Sequence, residues 1–210
     1  MMRNTRNRYT GRVAASAIAL VVLLGGSTLP AGETAAYVGA ERCKNCHSAP
    51  SKGDQYGKWA KEDHAKAFAK LAADAALKLG KEKGVAEPQK DKACATCHVT
   101  AYDEPAESKG KKFDPTQGVQ CESCHGPGNK HVKARLEAEE EAGDKLVKIP
   151  AGEIVAIPTA ETCKKCHNEK SPSYKPFDYK KYLKDIAHPD PRKNYPADYL
   201  DKLGESGGKP

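Results

Sequence analysis

Eight cysteines arranged as four C-x-x-C pairs, each followed at once by histidine, constrain this chain more than any other feature of its 210 residues. The motifs are Cys43-Lys44-Asn45-Cys46-His47, Cys94-Ala95-Thr96-Cys97-His98, Cys121-Glu122-Ser123-Cys124-His125 and Cys163-Lys164-Lys165-Cys166-His167. With seven histidines in the whole chain, four coincidences have a probability on the order of one in a million, and C-x-x-C-H is the attachment signal of c-type haem. Two residues between the cysteines let one helical turn aim both sulfurs at the vinyl groups on one porphyrin edge. The next residue then swings under the iron as an axial ligand. Zinc ribbons also use paired C-x-x-C knuckles but need no histidine after every pair, and redox-active C-x-x-C disulfides sit singly in a βαβ setting absent here. The sequence therefore predicts four covalently bound haem c groups, with His47, His98, His125 and His167 as proximal ligands.

The first residues read as a secretory leader. Arg3, Arg6, Arg8 and Arg12 form a basic n-region, the largely apolar run Val13 to Leu24 follows, and Gly25-Gly26 precedes small residues where a peptidase could cut. Twelve residues rise about 18 Å as a helix, against a hydrocarbon core of about 30 Å, so the run is short for a membrane span. We expect a signal peptide over residues 1–31, with cleavage as late as residue 36, and a periplasmic protein, with the cell surface as an alternative. The leader supplies four of the +7 formal charge and no acid precedes Glu33, which leaves +3. That charge gives no support to nucleic-acid binding.

Composition fits the same reading. Only 38% of the residues are hydrophobic, with three Phe and one Trp, so a core made of side chains alone would be thin. Each of four haems would have about 45 residues to wrap it, too few for a separate core, so the porphyrins themselves supply apolar bulk. The expected fold is mostly α with extensive loops, a compact multihaem cytochrome c fold around four closely packed haems with little or no β-sheet. Tyr56 to Leu79 reads as one helix stopped by Gly80, and Val132 to Ala142 and Tyr182 to Ala187 as shorter ones. Gly126-Pro127-Gly128 must end the helix of the third motif. Residues 37–195 form the tetrahaem domain and residues 196–210 a polar, flexible tail.

The inventory of distal ligands is short. Met1 and Met2 lie in the leader, which excludes Met/His ligation. His64, His131 and His188 are the remaining histidines, and each is a candidate distal axial ligand. Four irons and three spare histidines leave one iron five-coordinate or held by a weaker ligand such as water, Lys or Tyr. His131, six residues after His125, would have to pass around a porphyrin edge to reach its own haem, so ligation of a neighbouring haem is easier.

These motifs resemble the tetrahaem cytochrome c-554 family of multihaem c-type cytochromes, which includes the electron acceptor of hydroxylamine oxidoreductase. The matching stretches are Arg42 to His47, Lys58 to Phe68, Cys94 to Val99, Gly118 to Gly128 with His131 close behind, Glu161 to His167, and Ser173 to Phe177 ahead of His188. GVQCESCHGPG is the specific one. The likeness spans roughly residues 37 to 195 and departs from the family in a shorter segment before His188 and a Lys-rich tail. It implies three bis-histidine haems and one five-coordinate haem, the second. It also implies that His131 serves the first haem, His188 the third and His64 the fourth, and that a loop holding Pro176 and Phe177 covers the open face of the second.

The expected function is a relay of single electrons between a periplasmic redox enzyme and a downstream carrier, with no catalytic residues. A hydroxylamine-oxidoreductase-like donor and a membrane or soluble cytochrome acceptor are the expected partners, and the chain is expected to be a monomer or weak oligomer. One alternative is a nitric oxide reductase or sensor working at the open haem beside His98. Another is a subunit of an extracellular cytochrome filament, which would want eight axial histidines where this chain has seven.

Overall fold

Short helices joined by longer loops carry every attachment motif. The computed structural model describes residue 34, residues 36–142 and residues 152–208; the expected leader over residues 1–31 lies outside the described residues. Within them run α1 (Ala40–His47), α2 (Gln55–Lys61), α3 (Ala67–Lys70), α4 (Asp74–Glu82), α5 (Lys92–His98), α6 (Cys121–His125), α7 (Asn129–Ala142), α8 (Ala160–Lys164), α9 (Tyr179–Ile186) and α10 (Tyr199–Glu205). The β pairing among these residues is one isolated bridge between Tyr37 and Lys109. The fold class is thus mostly α without a sheet, as the sequence predicts. Helices of 4 to 14 residues are marginal in water on their own, so tertiary contacts must hold them.

Side chains supply little of that hold. The buried apolar residues are Ala40, Ala67, Leu71, Ala95, Val99, Ala160, Tyr179 and Leu203, half of them alanines, and beside them Thr100, Gln120, Glu122 and Glu153 are buried too. Hydrogen bonds between remote segments do the joining instead. The Gln120 side-chain oxygen accepts from the Ala40 N–H at 2.7 Å, and its amide donates to the Asp114 carbonyl at 2.8 Å. The Gln120 N–H donates to the Thr100 hydroxyl at 2.7 Å. Buried polar groups of this kind are costly if unpaired, which fixes the segments relative to one another.

The helix expected over Tyr56 to Leu79 is three helices. Asp54 caps α2, its side chain accepting from the Gly57 N–H at 3.1 Å. At Glu62 the backbone turns extended and α2 ends. The reason lies in another segment: the His64 carbonyl accepts the Val119 N–H at 2.9 Å, so the chain at His64 bonds across to the stretch just before α6. Gly118 makes that crossing possible, because at φ +72° a Cβ would stand 2.7 Å from the His64 carbonyl oxygen. Gly80 does not stop the helix either. It lies buried within α4, where a Cβ would meet the Val85 carbonyl oxygen and Pro88 at under 3 Å.

The tail beyond residue 196, expected to be flexible, contains α10. Leu203 is buried, Lys180 pairs with Glu205 at 2.8 Å, and Lys184 pairs with Asp201 at 2.6 Å, which ties α10 to α9. The Ala160 N–H donates to the Gly207 carbonyl at 3.0 Å. The tail therefore braces the start of α8, ahead of the fourth motif.

Candidate haem centres

Each motif lies on a helix of about one to two turns: the first at the end of α1, the second on α5, the third on α6 and the fourth across the end of α8. On a helix, residues three apart share a face, so both thiols of a pair point one way and the following histidine turns toward the same region. Local bonds start and stop these helices. The Asp91 side chain caps α5 by accepting the Ala93 N–H at 2.8 Å, and Gly126 at φ +81° ends α6. In the fourth motif the Cys166 and His167 N–H groups both donate to the Cys163 carbonyl, at 3.2 and 3.0 Å.

Glu122, between the cysteines of the third motif, is the joint between motifs. Its carboxylate accepts the N–H groups of Val38 and Gly39 at 2.8 Å each and of Gly128 at 2.7 Å. Burial pushes its pKa up and those three donors oppose the shift. The first two bonds draw the entry of α1 onto α6, so the first and third motifs adjoin. The second motif is tied in by Thr100, two residues past His98, whose hydroxyl meets Ser123 at 2.7 Å and Gln120 as above.

All eight cysteines are free thiols of intermediate exposure. Cys43 and Cys121, from the first and third motifs, are hydrogen-bond partners; that contact holds the Cys43 thiol well above its ordinary range and Cys121 below it. Cys166 is pushed up to about 12 by burial, then by Cys97 of the second motif. Cys124 is pushed up to about 11 by burial, with Cys163 the next cause. Attachment points of different motifs therefore cluster. Among the described residues no three His, Cys, Asp or Glu side chains converge as a zinc ribbon would require.

The histidines fall into facing pairs. His47 and His131 have ring centroids 6.1 Å apart with planes at 25°, His64 and His167 are 6.1 Å apart at 83°, and His125 and His188 are 6.0 Å apart at 63°. Each pair joins one motif histidine to one outside the motifs. Metal–imidazole bonds of about 2.0–2.1 Å on either side of one ion, with about 1 Å from each nitrogen to its ring centre, set centroids about 6 Å apart. The spacing fits one iron between two imidazoles, and the free thiols alongside fit thioether attachment. The resemblance drawn from sequence implies the same partners.

Protonation state agrees with that fit. Burial is the largest cause holding His47, His64, His125, His167 and His188 below the ordinary imidazole pKa. Neutral imidazole is the form that ligates a metal. Several rings are also fixed through Nδ1: His98 bonds the Ala67 carbonyl at 2.8 Å, His125 the Val155 carbonyl at 2.6 Å and His188 the Ile186 carbonyl at 2.9 Å. His131 instead bonds the Glu153 carboxylate at 2.6 Å.

His98 is different. All seven histidines are described, and His98 is the one without a second histidine ring facing it at this spacing. Phe177, expected over the face opposite His98, makes its ring contacts at the fourth motif: it stacks on His167 at 4.9 Å and on Tyr182 at 5.4 Å. Pro176 precedes it in the same loop. Sequence reasoning did not single out Glu122, Gln120, Thr100 or Glu153 for the site. Glu122 stood in plain view inside a motif, but no spacing rule marks a residue whose partners are 84 and 83 positions away.

Residues 42–126 match the family described as Cytochrome c554 and c-prime. A curated relative, "Cytochrome c-554" of Nitrosomonas europaea, is 35% identical over 117 residues, which cover 53% of this chain and 46% of the relative. The match thus spans about half of each chain. No solved structure matches. Residues 42–126, which carry the first three attachment motifs and four of the seven histidines, are thus similar to the cytochrome c-554 family.

Proposed function

We propose that this chain is an exported tetrahaem c-type cytochrome that relays single electrons between a periplasmic redox enzyme and a downstream carrier. The observation that carries the reading is the set of three facing histidine pairs at 6.0 to 6.1 Å. Haem iron, when bound, supplies a one-electron couple tuned by its axial ligands and surroundings. The residues of the chain do the rest. His47 with His131, His64 with His167, and His125 with His188 would each close both axial positions of one haem, which suits electron transfer and disfavours substrate binding. Because each outer histidine comes from a segment remote from its partner, ligation would also cross-link a fold that buries few large apolar side chains. The neighbouring thiols Cys43 and Cys121, and Cys97 and Cys166, set attachment points side by side, and short separations are what electron hopping needs. A hydroxylamine-oxidoreductase-like donor and a cytochrome acceptor fit this role.

A second reading is favoured by one observation, the lack of a ring facing His98. There the second haem site could take a small nitrogen oxide such as NO and pass electrons to it. The Nδ1 of His98 is held by the Ala67 carbonyl at 2.8 Å, which leaves Nε2 toward the iron.

The test is a pyridine haemochrome assay on denatured protein combined with low-temperature EPR of the oxidised holoprotein. The relay reading expects four covalent haems, three low-spin and one high-spin. Two haems per chain, or four low-spin signals, would overturn the architecture. Multiple-turnover NO consumption lost in parallel with blocking of the high-spin iron would replace the relay by the enzyme.

A further inference from the structure

We propose that Glu153 is a positioning residue for the haem held between His47 and His131, and that it sets that haem's potential below those of the other two bis-histidine haems. The inference rests on the bis-histidine reading above.

α7 places His131 and Arg135 four residues apart, on one face of the helix. Glu153, just after Gly152 at φ +79°, faces both. Its side chain is 5% exposed. One carboxylate oxygen accepts from His131 Nδ1 at 2.6 Å and from Arg135 Nε at 3.1 Å, and the other accepts from Arg135 Nη2 at 2.8 Å. A carboxylate this buried is tolerated because the guanidinium compensates it.

The consequence follows from which proton is where. A neutral imidazole carries one N–H; with Nδ1–H given to Glu153, Nε2 is left as the ligating atom. The other Nδ1 hydrogen bonds described, at His98, His125 and His188, end on neutral backbone carbonyls. A carbonyl fixes the ring. A carboxylate fixes it and also draws the N–H proton, which raises the basicity of the ligating nitrogen. A more basic axial ligand stabilises ferric over ferrous iron, so this haem should be the hardest of the three to reduce. Arg135 neutralises the carboxylate's charge at longer range while leaving the hydrogen bond in place.

The experiment is a redox titration of the holoprotein followed by EPR, on Glu153→Gln and Arg135→Gln, with His131→Ala beside them. The signal to follow is the low-spin one lost in His131→Ala. In Glu153→Gln the ferric-to-ferrous equilibrium of that haem should move tenfold or more toward ferrous, 59 mV upward for a one-electron couple, while the other haems hold their midpoints. In Arg135→Gln the same haem should move the opposite way, its carboxylate no longer neutralised. No shift in Glu153→Gln, an equal shift in all haems, or an upward shift in Arg135→Gln would overturn the proposal. His131→Ala separates the two levels of the argument. If it adds no high-spin haem, the bis-histidine reading fails; if it adds one and Glu153→Gln moves nothing, this inference fails alone.

Discussion

His64 and His167 face each other 6.1 Å apart with their ring planes at 83°. His47 and His131 keep the same separation but lie at 25°, and His125 and His188 fall between at 63°. The mutual angle of two axial imidazoles decides how far the iron d orbitals that interact with them are split. Parallel rings split them most and perpendicular rings least.

The oxidised holoprotein should therefore give distinct low-spin EPR signals. His64→Ala should abolish the most anisotropic one and His131→Ala the most rhombic one, each adding one high-spin haem without loss of covalent attachment. Identical losses in the two variants would show that the ring angles do not persist in the loaded protein.

Exogenous ligand should find one site. NO or CO titrated into the reduced holoprotein should bind with a stoichiometry of one per chain, at the haem attached beside His98. In His188→Ala the stoichiometry should rise to two. A wild-type stoichiometry above one would show that a facing pair is labile.

Glu122 should matter more to stability than its place inside a haem motif suggests. Glu122→Ala leaves the Val38, Gly39 and Gly128 N–H groups without their acceptor. At about 1–3 kcal/mol for each unsatisfied buried group, less the relief from removing a desolvated carboxylate, the net loss should be about 2–4 kcal/mol. Glu122→Gln, which keeps an acceptor oxygen, should lose about half as much. Denaturant midpoints of the holoprotein followed by far-UV circular dichroism would measure both.

The brace between α9 and α10 should release in acid. Lys184 beside Asp201 holds that carboxyl below its ordinary value of 3.8. A depressed folded pKa contributes stability that is complete above the unfolded value and is lost as pH falls through the folded one. Cleavage of the tail by an acid-active protease should accordingly accelerate below pH 3.8, with Lys184→Ala cleaved quickly on both sides of that point. A tail equally resistant at all pH values would show that buried Leu203 holds it without the ion pairs.

What the sequence determined by itself was chemistry that is local along the chain. Two residues between cysteines and a histidine next to the second fit one helical turn, so Cys43, Cys46 and His47 declare their use without any knowledge of the fold. The lack of any methionine after Met2 and the thin supply of large apolar residues are likewise properties of the chain alone. What the tertiary structure decided was everything that depends on remote segments meeting. Periodicity over Tyr56 to Leu79 reads as one helix, because a helical pattern cannot register that Val119 will bond the His64 carbonyl and break it. The charged tail reads as flexible, because its buried Leu203 and three ion pairs to α9 become visible only when α9 lies against it. Facing of His47 with His131 spans 84 residues, and the Glu153 carboxylate that orients His131 comes from a loop 22 residues on. Spacing rules work where the backbone geometry between two residues is fixed by the helix; beyond a few turns, only the folded chain sets the distance.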